Sequence, residues 1–273
     1  MAMGTDPMQG VPAAARQRLT EMRGTEGKRG LFTSDLSASE FMLVREAGFD
    51  PIGLVMGSSI YHIGFQIPGA FQSQELTVLT EAMYHARGLA MRRMEEEANA
   101  LGADGVVGVR LEVTECEWGE SLAEFMAIGT AIRHRQGEHY RVSAERPFTS
   151  DLSGQDFWTM LRTGYRPLCL VMGACVYHVA QQGMLKSLTQ MGRNVEMENF
   201  TQALYDAREI ALSRMQAEAG AVNAEGVVGA QVQERSHGWG SHVIEYFAVG
   251  TAVVSVAADH AVAAPTVVLP VSS

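Results

Sequence analysis

The chain has 273 residues, a net charge of −10 and 47% hydrophobic residues, enough for two separate cores of ordinary globular composition. Its acidic balance argues against a nucleic-acid partner and an anionic membrane surface, because both need a basic face. Three cysteines, Cys116, Cys169 and Cys175, fit a reduced cytoplasmic setting with no disulfide framework, and no run of about 18 apolar residues predicts a membrane span.

Residues 1–30 read as a leader broken by Pro7, Gly10, Pro12, Gly24, Gly27 and Gly30. A helix fits only between Ala13 and Met22, and a flexible arm is expected. Phe32-Thr33-Ser34-Asp35-Leu36-Ser37 then opens a first unit and recurs unchanged at residues 148–153. Ser37 with Glu40 forms a capping box for a short helix carrying Phe41, Leu43 and Val44. Ser153 and Asp156 stand at the same places in the second copy, and Gly48 and Gly164 are the stops.

Next come two long apolar segments without helical period, residues 48–64 and 164–180, which predict strands. Neither face of these strands is strongly polar, so cover is expected on both sides, from a helix and from a neighbouring repeat or subunit. Gly57 and Gly173 inside them point to a bulge or a close backbone approach. A loop of differing length follows, five residues longer in the second copy.

The stretch Leu79–Val109 aligns with Phe200–Ala230, with 16 of 31 positions identical. Leu79, Ala82, Met83, Ala86, Leu89, Ala90, Met94, Ala98 and Leu101 follow helical spacing, and the alanines allow close packing on a sheet. Gly102 is the stop, and Asn223 replaces it as the usual second choice for a left-handed residue. Strands Val106–Thr114 and Leu122–Arg133 read as an antiparallel hairpin. A polar link at residues 134–147 joins units 31–133 and 148–256, and residues 257–273 read as a flexible tail, with VVLPV as an add-on strand.

Ala86-Arg87, the run Ala100-Leu101-Gly102-Ala103-Asp104-Gly105-Val106-Val107-Gly108-Val109 and the closing Gly129-Thr130-Ala131 resemble the YbjQ-like family. Ala207-Arg208, Ala224-Glu225-Gly226-Val227-Val228-Gly229 and Gly250-Thr251-Ala252 carry the resemblance in the second copy. It implies an α+β fold of two tandem units, each with a dodecin-like antiparallel sheet on one long helix, with the short capped helix as an addition. It also implies a ring, commonly five-membered in single-unit members, and another name of the family records a suspected heavy-metal role. No catalytic motif comes with it.

Candidate metal ligands are Cys116 and His237, at equivalent turn positions, and His62 and His178, at equivalent strand ends. Soft or borderline donors of these kinds suit zinc, copper or nickel. One donor per unit binds only if an assembly gathers several, and a plain polar turn or a hydrogen-bonded strand-end histidine accounts for the same residues. Trp118 and Trp239 in the turns, with Tyr61 and Tyr177 beside the histidines, are the candidate interface aromatics.

The expected function is a non-enzymatic, ring-forming oligomeric module that binds a soft or divalent heavy metal. The alternative is a scaffold that binds other proteins through its turns and terminal arms. Self-association is the expected partnership, with no nucleic acid and no membrane.

Overall fold

The structure, a computed structural model, describes residues 11–24, 30–62, 73–115, 122–137, 140–179, 198–236 and 243–256. In chain order the elements are α1 (Ala13–Arg23), α2 (Ala38–Glu46), β1 (Phe49–His62), β2 (Gln74–Glu75), α3 (Thr77–Leu101), β3 (Gly105–Glu115) and β4 (Leu122–His134). The second half continues with β5 (Phe148–Thr149), α4 (Gly154–Arg162), β6 (Tyr165–His178), α5 (Glu198–Ala221), β7 (Gly226–Ser236) and β8 (Val243–Ser255). The fold is α+β, with two four-stranded sheets of order β1-β4-β3-β5 and β2-β6-β8-β7.

Local signals act where the sequence places them. Ser37 and Glu40 form a reciprocal capping box at α2, and Ser153 accepts the Asp156 N–H at α4. Gly102 ends α3 in the left-handed conformation, and Asn223 takes positive φ beyond α5. Each long strand pairs antiparallel with the hairpin strand β4 or β8. The bulges lie between Pro51 and Gly53 and between Val107 and Arg110, with equivalents at Pro167/Cys169 and Val228/Gln231. Gly57 and Gly173 have the other role expected of them. A Cβ on Gly57 would lie 2.1 Å from the Ala90 carbonyl oxygen, and one on Gly173 2.0 Å from that of Ala211. Each long helix therefore rests directly on the backbone of its strand.

The two helices are not equally covered. The core-facing side of α5 is a single stripe, Ala203, Ala207, Ala211, Met215 and Ala219. Helix α3 buries a similar stripe and, in addition, Thr80, Arg87, Met91 and Glu97. The reason is that the core around α3 also includes Leu170, Met172, Ala174, Val176, Phe247 and Val249 of the second sheet. Strand β6 is consequently buried on both faces, as expected, whereas β1 alternates buried and partly exposed positions.

Part of the leader is packed as well. Leu19 of α1 is buried, and Arg18 donates to the Leu54 carbonyl at 2.7 Å and pairs with Glu97 at 2.5 Å. No helix among the described residues is long and apolar enough to cross a membrane.

Candidate functional site: the joint between the two units

Each sheet is completed by two residues from the other half of the chain. β5 lies parallel to β3, with Phe148 opposite Gly105 and Thr149 opposite Val106. The Phe148 N–H donates to the Asp104 carbonyl at 3.1 Å and the Ser150 N–H to that of Val106 at 2.9 Å. The Val109 and Gly108 N–H groups donate in return to the Ser150 and Leu152 carbonyls. In the other direction β2 pairs antiparallel with the end of β6, Gln74 opposite His178 and Glu75 opposite Tyr177. Thr80 Oγ1 accepts the Val176 N–H at 2.9 Å, and Arg214 holds both carboxylate oxygens of Glu75. These bonds satisfy strand-edge groups that would otherwise face another chain.

Phe148 packs over Gly105 so closely that a Cβ there would lie 2.1 Å from the ring. Its ring stacks on Phe157 at 5.8 Å and meets Phe49 of the first unit edge-on at 6.2 Å. Val44, Phe49, Val107 and Ile132 from one unit and Phe148, Leu152, Phe157 and Met160 from the other share this core.

The most deeply buried charges also lie at the joint. Arg87 of α3 and Glu245 of β8 have side chains 1% and 0% exposed, with Nη1 and Oε1 2.6 Å apart. The contact is one of charge without hydrogen-bond alignment. The Phe247 ring lies under the guanidinium at 4.1 Å, adding a cation–π contact. The pairing escaped the sequence reading, which took Arg87 only as part of a family motif. A signal existed, because Arg208 and Glu124 repeat its two residues at the same spacing of 121.

His62 sits exposed at the end of β1, opposite Leu122. His178 is only 5% exposed, at the end of β6 between Gln74 and Val243. Among the described residues no group of three or more His, Cys, Asp or Glu, these two histidines included, is placed to hold a metal ion. Cys116, Trp118, His237 and Trp239 lie outside the described residues. Tyr61 meets Phe125 of its own unit edge-on at 6.5 Å, and Tyr177 is buried against the second core. Cys169 and Cys175 are buried and free. Burial, helped by Glu75, pushes the Cys175 thiol up to about 12, which makes it a poor thiolate donor.

Residues 53–135 and again residues 166–256 match the YbjQ_1 family, described as "Putative heavy-metal-binding". The chain is 50% identical over 244 residues to the "Encapsulin nanocompartment protein Rv1762c" of Mycobacterium tuberculosis, which covers 89% of this chain and 92% of that protein. It is 40% identical over 106 residues to a "UPF0145 protein" of Halorubrum lacusprofundi, covering 37% of this chain and 99% of the relative. A "UPF0145 protein" of Fervidobacterium nodosum is 36% identical over 92 residues, or 32% of this chain and 83% of that protein. The last two are therefore about one unit long. The chain belongs to the YbjQ-like family as a tandem duplication of its unit.

Proposed function

We propose that this protein is a non-enzymatic oligomeric module that assembles into a ring. The observation that supports this most directly is the joint itself. Two homologous units meet through unlike surfaces, the β3 edge and α3 of one against the arm, β6 and β8 of the other. A head-to-tail contact of this kind leaves one unused surface at each end of the pair, and its repetition closes a ring when the rotation allows. Sedimentation velocity and native mass spectrometry of the full chain test the reading. A discrete closed oligomer is expected, and a single chain at every concentration would overturn it.

Metal binding is the second part of the proposal, supported by the family description. A ring gathers one donor per unit around its axis, so Cys116, His237, His62 and His178 are the side chains to vary. Elemental analysis after incubation with zinc, copper or nickel should find bound metal, reduced in a Cys116→Ala/His237→Ala variant. An undiminished content in that variant would remove the turns from the site.

The runner-up is a scaffold that works with other proteins, and the name of the mycobacterial relative favours it. Its partner would be the protein shell of a nanocompartment. Co-sedimentation of purified chain with purified shell tests this, and separate migration would count against it.

A further inference from the structure

We infer that the joint inside the chain is repeated between chains. Residues 32–34 of a second copy add to the free edge of β7, and Arg208 pairs with Glu124 of that copy. The inference rests on the assembly reading above and names the surfaces that carry it.

The receiving edge is the first argument. Gly226, Val227 and Val228 repeat Gly105, Val106 and Val107. The first-unit residues are buried under β5, whereas Gly226 is exposed and the two valines are half-exposed. Gly105 must be glycine because the Phe148 ring occupies the place of a side chain. Among the described residues nothing lies within 4 Å of a Cβ on Gly226, and its φ does not demand glycine. The space a phenylalanine fills in one copy is open in the other.

The entering arm is the second. Ser150 and Asp151 are anchored on Thr251, at 2.9 Å from the Ser150 hydroxyl and 3.2 Å from the Asp151 N–H. Ser34 and Asp35 are anchored on Thr130 in the same way, at 3.2 and 3.3 Å. Phe32 stacks on Phe41 at 5.6 Å and 15°, as Phe148 stacks on Phe157 at 5.8 Å and 16°. The first arm thus already has the conformation of the inserted one, yet Phe32 is 44% exposed where Phe148 is 0%. Pre-ordering of this kind lowers the entropy cost of docking.

The charges are the third. Arg87 and Glu245 pair inside the joint, while their counterparts Arg208 and Glu124 are each partly exposed. Arg208 is 38% exposed and lies over the Tyr205 ring, and Glu124 is half-exposed on β4. Repeating the joint brings this arginine to that carboxylate. The copy carrying Arg208 meets the second copy's β1 edge at its Ile60 end, because α1 covers that edge near Leu54. Ile60 is 52% exposed where its counterpart Val176 is buried.

Charge reversal tests the pairing on the full chain, with circular dichroism and the thermal midpoint as controls for folding. Arg208→Glu and Glu124→Arg should each weaken assembly by about tenfold or more, and the double variant should restore it, since close charge pairs across interfaces couple strongly. Gly226→Leu, placed in open space, should leave the chain folded and block the arm. An assembled protein indifferent to both single reversals and to Gly226→Leu would overturn this inference while leaving the assembly reading intact. A wild-type protein that never assembles would overturn both.

Discussion

At Arg87 a guanidinium is held out of water between α3 and the second sheet, compensated by Glu245 and the Phe247 ring face. Removing one partner strands the other charge. Arg87→Ala should cost about 3–5 kcal/mol, whereas an Arg87→Met/Glu245→Leu double variant should be near neutral or more stable. Urea unfolding of the three proteins checks this. Glu218 offers a pH-dependent case at the same scale. It accepts the Met172 N–H at 2.6 Å, and burial holds its pKa above the ordinary value of 4.5. A carboxyl with a raised folded-state pKa contributes stability that is complete below its unfolded value and is lost as pH rises through the folded one. Glu218→Gln should therefore raise the thermal midpoint relative to wild type at neutral pH, and the gain should shrink as the pH falls below the ordinary carboxylate range. Thermal melts of both proteins across that range measure it. Neither the burial of Arg87 nor the partial burial of Glu218 was legible in the sequence, because a charge on a helix reads as solvated until the neighbour that covers it is known.

Among the elements, the closest fit is between each long helix and its strand. Gly57→Ala would press a methyl group against the Ala90 carbonyl and the Met94 nitrogen, both backbone atoms that cannot swing aside. A loss of about 1–3 kcal/mol or more is expected. Gly220→Ala, in the last turn of α5 with nothing among the described residues within 4 Å, should instead gain roughly 0.5–1 kcal/mol. Denaturant midpoints of the two variants should move in opposite directions. The helices, the hairpins and the stop residues Gly102 and Asn223 were readable because periodicity and turn chemistry act over a few neighbouring residues. β2 and β5 were not. Two-residue strands have no period, and their pairing depends on residues far along the chain, 43 away for Phe148 with Gly105 and 102 away for Glu75 with Tyr177. The docking of α1 was hidden for the same reason, since its alanine- and arginine-rich sequence gives only a weak apolar face.

On the scale of the whole molecule, nearly identical stretches of chain stand in different surroundings. Val107 is buried and its counterpart Val228 is half-exposed, as Phe148 is buried and Phe32 is not. Sequence comparison establishes that the units are equivalent. It cannot show that one half of each repeated surface is covered and the other open, because that depends on which unit comes first. The candidate ligands show the same limit. His62 and His178 were found as a matched pair, but the first is exposed and the second is buried, with β2 beside it.

The placement of Phe148 and Thr149 on β3 also has a consequence for synthesis. The ribosome releases Glu115, the end of β3, well before the two residues that complete its edge. At about 5–20 residues per second the wait is roughly 2–7 s. Through that interval the Gly105–Val109 edge is open to any nascent chain nearby. The short link keeps the chain's own arm at a high effective concentration, on the order of millimolar, so the edge is closed by its own continuation ahead of a stranger's. In this light the gene duplication did more than double a unit. It turned one encounter between separate molecules into a step of the chain's own folding.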